Sequence, residues 1–127
     1  MDTPESVAQA FAAAINAEDL TALRSLMADD HIFVDARGNK FADADKMLLG
    51  WQHFFHAYPD YRIAISHTLV RENLVALFGQ ARGKWRVNDL ILAETWSVSA
   101  GWLAEIEAGK VKTWRVFCDT SWATPPQ

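Results

Sequence analysis

The chain has 127 residues, half of them hydrophobic and 22% charged, which suits one domain spanning residues 1–127 and leaves too little polarity for disorder. Its 12 basic and 16 acidic residues give a net charge of −4, so a nucleic-acid partner is excluded, because that binding relies on Lys and Arg against phosphates. The single cysteine, Cys118, excludes an internal disulfide and a multi-cysteine zinc site; no apolar run approaches the ~20 residues of a membrane span. The start, Met1-Asp2-Thr3-Pro4-Glu5, lacks the basic and apolar regions of a signal peptide, so the expected location is cytoplasmic, away from any membrane.

The first third predicts helices. Thr3 is an N-cap candidate with Pro4 at the first helical position, and Val7, Ala8, Phe11, Ala14 and Ile15 repeat at helical spacing. Asp19 can cap a second helix that turns Leu20, Leu23, Leu26 and Met27 toward a core and stops near Ala28-Asp29-Asp30. His31 to Asp35 is a short β-type run ending in the turn Asp35-Ala36-Arg37-Gly38, with Asp and Gly where a type I turn favours them. A third helix, capped by Asp43 and stopped by Pro59, carries Met47, Leu48, Trp51, Phe54, Phe55 and Tyr58 as one amphipathic stripe.

From Tyr61 onward the pattern is β. Ile63 to Val70 and Leu74 to about Arg86 read as strands joined at Arg71-Glu72-Asn73. After the turn signal Asn88-Asp89, a long strand is expected from about Ile91 to Ile106, bent at Ala100-Gly101. The turn Glu107-Ala108-Gly109 leads to a last strand, Val111 to Asp119, and the tail from Thr124 is expected to fray. Helices followed by antiparallel strands make an α+β fold. Six Trp, seven Phe and two Tyr point either to a bulky core with a dimer interface or to an aromatic pocket.

The segments Val7 to Leu20, Ala28-Asp29-Asp30 with Phe33-Val34-Asp35, Tyr58-Pro59-Asp60-Tyr61, and Gly109-Lys110-Val111 through Trp114 to Asp119 resemble the nuclear transport factor 2-like superfamily. The resemblance covers essentially the whole chain and falls in the SnoaL-like and ketosteroid isomerase-like branch. It implies a cone-shaped, curved, mixed but mainly antiparallel sheet wrapped around three N-terminal helices and enclosing a pocket. It does not imply one reaction, since that scaffold carries isomerases, hydrolases, cyclases, dehydratases and binding modules.

By resemblance Asp35 stands where ketosteroid isomerase-like members hold a general-base aspartate. Such a carboxylate, in a dry apolar cavity, is expected to have a raised pKa; alternatively Asp35 only caps its turn. The family's enolate-stabilising tyrosine is replaced by Phe11 and its protonated aspartate by Trp102 or Gly101, so a steroid isomerase is disfavoured. Val116 stands where a limonene-type epoxide hydrolase needs an aspartate, which disfavours that reaction too.

Alternation on the last strand sets Trp114, Val116 and Cys118 on one face, which by resemblance meets the cavity. With Phe11, Ile15, Trp51, Phe55, Tyr58 and Trp102 they are the expected substrate-binding residues, or they simply fill the core. His67 shares parity with Ile63, Ile65 and Leu69 and is expected to be buried, as a core histidine or as a catalytic partner of Asp35. His53 and His56 lack a third ligand at useful spacing, so no metal is expected, and the reading below needs no organic cofactor.

Two functions remain open on these residues. One is a cofactor-independent isomerase, cyclase or hydratase acting on a hydrophobic cyclic or aromatic small molecule, with Asp35 as base. The other is a non-catalytic ligand-binding or dimerisation module. In either case Leu103, Val111 and Phe117 are expected to face outward, and a homodimer would cover that outer sheet face.

Overall fold

A computed structural model describes residues 2–126. Helix α1 spans Pro4–Ala17 and opens on a capping box, in which Thr3 and Ser6 each bond the other's backbone N–H. Helix α2, Leu20–Leu26, is capped by the Asp19 carboxylate, and α3, Ala44–Ala57, by Asp43. The capping signals in the sequence therefore start all three helices. Among the described residues no helix is long and apolar enough to cross a membrane.

Six strands form one curved, mixed, unclosed sheet in the order β2-β1-β8-β7-β4-β3. They are β1 Met27–Val34, β2 Lys40–Ala42, β3 Arg62–Arg71, β4 Leu74–Gly83, β7 Trp96–Glu107 and β8 Lys110–Cys118. A separate ribbon pairs β5, Arg86–Val87, with β6, Leu90–Ile91, across Asn88 and Asp89, both at positive φ. All neighbours in the large sheet are antiparallel except β1 and β8.

Several boundaries differ from the sequence expectation. Strand β1 starts at Met27, directly after α2, because it runs parallel to β8 and Met27 pairs with Val111. Asp29 and Asp30 thus lie within a strand instead of a helix end. The long strand begins at Trp96 instead of Ile91, since Leu90–Ile91 is diverted into the ribbon. No register break falls at Ala100-Gly101, whose pairing with Gly79 and Phe78 is continuous.

Register shifts sit elsewhere, in the β1–β8, β3–β4 and β7–β8 pairs, and the last two each reverse a face. Between Ile65 and His67, β3 carries one extra residue relative to β4, so Ile65 faces Gly79 while His67 faces Phe78. His67 is consequently turned outward and exposed, which corrects its expected burial with Ile63 and Ile65. Between Thr113 and Val111, β8 carries an extra residue relative to β7. Val111 is therefore fully buried in the core and not outward-facing.

Gly79 makes the first bulge possible. A Cβ there would overlap the Ala64 carbonyl oxygen on β3, a backbone atom that cannot swing aside. Gly79→Ala should therefore cost about 3 kcal/mol of stability, at the upper end for overpacking a tight site. Urea denaturation checks this: the midpoint should fall with an unchanged slope.

Candidate active site

The concave sheet face is covered unevenly. At one end α1 packs down: Phe11, Ile15 and Trp114 are fully buried, and the Phe11 ring lies 4.7 Å from Trp114. At the other end a cavity of about 780 Å³ remains, within the range of small-molecule sites. Its walls come from Phe33 on β1, Phe41 on β2, and Met47, Gly50, Trp51 and Phe54 on α3. Its floor comes from Ala81, Ala100, Trp102, Val116 and Cys118 on the sheet, with Tyr61 beside them.

A C-terminal plug closes the far side. The short 3₁₀ turn Ser121–Ala123 stacks Trp122 on Trp96 with ring centres 4.1 Å apart and planes 15° from parallel. Two side chains hold that turn by its backbone: the Tyr58 hydroxyl donates to Ala123 O at 3.0 Å, and the Trp85 indole donates to Trp122 O at 2.7 Å. These bonds link α3 and the β4–β5 segment to the chain end. Nothing in the local pattern around Trp122 signalled this role.

The residues expected to bind substrate separate accordingly. Trp51, Trp102, Val116 and Cys118 line the cavity. Phe11, Ile15, Phe55, Tyr58 and Trp114 do not. Phe11, Ile15 and Trp114 fill the α1 end completely, Phe55 packs on Trp51 at 5.5 Å, and Tyr58 spends its hydroxyl on Ala123. Where the resemblance implies a hydroxyl donor on α1, the structure has a packed hydrocarbon ring. His67 lies on the opposite face of the sheet from Ile65 and is not on the cavity wall.

Asp35 does border the cavity, at its mouth, but its carboxylate is occupied. Oδ1 accepts from the backbone N–H groups of Arg37 and Asn39, both at 2.9 Å, and Oδ2 accepts from the Asn39 side-chain amide at 3.2 Å. Partial burial pushes its pKa up, but the Asn39 and Arg37 donors outweigh that and hold it below the usual carboxylate value. This corrects the expectation of a raised pKa: the turn-capping geometry is present, and it weakens Asp35 as a base.

Tyr61 is the polar group on the wall that sequence reasoning passed over. It lies buried, and burial, reinforced by nearby Cys118, raises its pKa far above the ordinary phenol range, so the hydroxyl stays protonated. The Trp102 indole N–H favours the Tyr61 oxygen without reaching full hydrogen-bond geometry. The phenol proton itself is not donated to any described residue. The signal was available in Tyr58-Pro59-Asp60-Tyr61, where Pro59 ends α3 and Tyr61 precedes the buried Ile63 by one alternation.

Among the described residues no group of three or more His, Cys, Asp or Glu is placed to hold a metal ion. Comparison with known proteins adds the family. The sequence profile of the SnoaL-like domain matches residues 8–114. The chain belongs to the SnoaL-like domain family. Solved structures share its fold at low identity. A candidate polyketide cyclase from Xanthomonas campestris superposes with a TM-score of 0.85 at 13% identity, covering 94% of this chain and 93% of that one. A candidate polyketide cyclase from Pseudomonas putida gives 0.83 at 20% identity, covering 96% of both chains. A nuclear transport factor 2-like protein of unknown function from Cytophaga hutchinsonii gives 0.73 at 14% identity, covering 97% and 96%. A search of curated protein sequences gave no match.

This SnoaL-like domain also buries His31, which lies outside the cavity wall. Its ring is fully enclosed; Nδ1 bonds Val111 O at 2.7 Å, and Nε2 has no partner. Burial lowers its pKa, opposed by the Val111 carbonyl and modulated by Arg24, Asp30 and Lys112. The unfolded chain then takes up this proton at higher pH than the folded chain does. The stability is complete above about pH 6.5 and falls as pH drops below that value, by at most about 1.4 kcal/mol per unit. Urea unfolding at pH 7.5 and 5.5 should show this loss in the wild type, and His31→Phe should remove it.

Proposed function

We propose that this SnoaL-like domain binds a hydrophobic cyclic or aromatic small molecule in the cavity between α3 and the sheet, and that recognition is its primary task. The carrying observation is a cavity of about 780 Å³, lined mainly by aromatic and apolar side chains, with the largely buried Tyr61 phenol on its wall. A neutral phenol in an apolar wall suits a carbonyl or ether oxygen on an otherwise apolar ligand. The candidate polyketide cyclases among its structural neighbours support a ring-containing ligand. Free Cys118 fits a cytoplasmic setting.

Catalysis is the second reading, favoured by one observation: Asp35 reaches the cavity mouth as an ionised carboxylate. An isomerase, cyclase or hydratase could use it as the base. Its three donors and the packed Phe11 weigh against efficient proton abstraction.

Titration with the neutral fluorophore N-phenyl-1-naphthylamine tests the binding function. Gly50 lies on the exposed part of α3 at the cavity edge, and a Cβ there meets nothing closer than the Met47 side chain at 3.5 Å. Gly50→Phe should therefore place its ring at the cavity edge with room for its Cβ, and weaken the probe at least tenfold. Asp35→Asn should leave probe binding unchanged. With a turned-over substrate in hand, loss of turnover in Asp35→Asn would instead establish the catalytic function. No probe binding by the wild type would overturn the ligand-binding function.

We also propose a homodimer through the outer sheet face. Leu69, Phe78, Leu103 and Phe117 lie there, and the first, second and last of these are exposed. Phe78 and Phe117 flank Gly101 in one cross-strand row, with Arg115 lying 4.8 Å over the Phe117 ring, and a second copy can cover this exposed aromatic row. Light scattering at micromolar concentration should give twice the chain mass; a monomer overturns this arrangement.

A further inference from the structure

The cavity wall is apolar almost throughout, but its mouth is not. Arg37 from the turn after β1, Lys40 from β2 and Lys46 from the first turn of α3 all border it. All three are exposed, as a charged rim around an apolar chamber should be. Among the described residues none of them joins an ion pair; the four salt bridges use Arg24, Arg62 and Lys112 instead.

The neighbouring acids are accounted for. Asp35, the one carboxylate on the cavity wall, is taken up by Asn39 and the Arg37 backbone. Asp43 caps α3, and Asp45 pairs with Arg24 at 3.0 Å. Three cations against one carboxylate leave the mouth net positive in a chain whose overall charge is −4. Low-dielectric walls beside such a rim concentrate its field into the opening.

We infer that the ligand is an amphiphile: an aromatic or cyclic body that enters the cavity, with an acidic group, a carboxylate or a comparably ionised oxygen group, left at the mouth among Arg37, Lys40 and Lys46. This inference rests on the ligand-binding function proposed above and names the chemical class. The body buries against Trp51, Phe33 and Trp102. The acidic group stays partly hydrated, so the cations select and orient the ligand more than they tighten it.

Two fluorophores with the same ring skeleton separate these contributions. N-Phenyl-1-naphthylamine is neutral, and 8-anilinonaphthalene-1-sulfonate adds one fixed negative charge. The sulfonate should bind about tenfold more tightly at low salt, and the two should displace each other. The preference should shrink towards parity in 1 M NaCl, where exposed charges are screened within about 3 Å. The double variant Lys40→Gln/Lys46→Gln should weaken the sulfonate about tenfold, the summed worth of two exposed charge contacts, and leave the neutral probe unchanged. Arg71→Gln, which removes a cation outside the cavity wall, should alter neither.

Equal affinity of the wild type for both probes overturns the acidic-ligand inference while leaving the cavity's binding function intact. So does a double variant that weakens both probes alike, or a sulfonate the neutral probe cannot displace. Failure of both probes to bind overturns the ligand-binding function and this inference with it.

Discussion

The inner face of β7 is the constraint on which the architecture turns. Over twelve residues it presents Trp96, Val98, Ala100, Trp102, Ala104 and Ile106 to the same side, a longer apolar strip than any one helix of the chain covers. Near Ala104, whose partner is Trp114, α1 lays Phe11 against the indole and the packing closes completely. Near Trp96 the returning chain end supplies Trp122 as a stacked lid. Between those seals, over Ala100 and Trp102, α3 stands off from the sheet, and the cavity is what remains. Removing either seal would open a void or expose a tryptophan.

The same geometry governs the chemistry. A group is available to a ligand only where packing has not already engaged it. Phe11 and Trp114 sit at the closed end, Tyr58 is bonded into the lid, and Asp35 is bonded into its turn. What stays unengaged on the wall is the Tyr61 phenol with the indole N–H groups of Trp51, Trp102 and Trp122, and at the rim the cations. In the proposed function, the neutral donor inside, the positive charge at the opening and the weakened carboxylate would hold an oxygen-bearing molecule in one orientation.

Buried polarity is distributed unequally in this core. Indole nitrogens of Trp51, Trp102, Trp114 and Trp122 are enclosed without full partners, as is Nε2 of His31. Each such group costs free energy on burial, so the interior trades some stability for large aromatic surfaces at few positions. The trade suits a domain that must both build a core and leave a chamber beside it: wide, rigid rings can bridge from core to wall, as Trp102 and Trp51 do.

The amino-acid sequence by itself determined the helices, the sheet-forming region and the superfamily. Caps at Thr3, Asp19 and Asp43, the stripe of α3 and the stop at Pro59 act locally, and the structure has each helix where they point. Asp35 was legible as a turn cap for the same reason: its partners lie within four residues. Only tertiary structure decided which side chains meet the cavity. Periodicity of two assigns faces only while register is unbroken, and single extra residues in β3 and β8 turned His67 outward and Val111 inward. The bulge in β3 depends on the opposing strand, where Gly79 leaves room for the Ala64 carbonyl, and no local pattern in β3 records it. Tyr61 and Trp122 gained their roles from partners more than twenty residues away, and the division of the aromatic set into core and wall follows from how far α1 and α3 reach along β7.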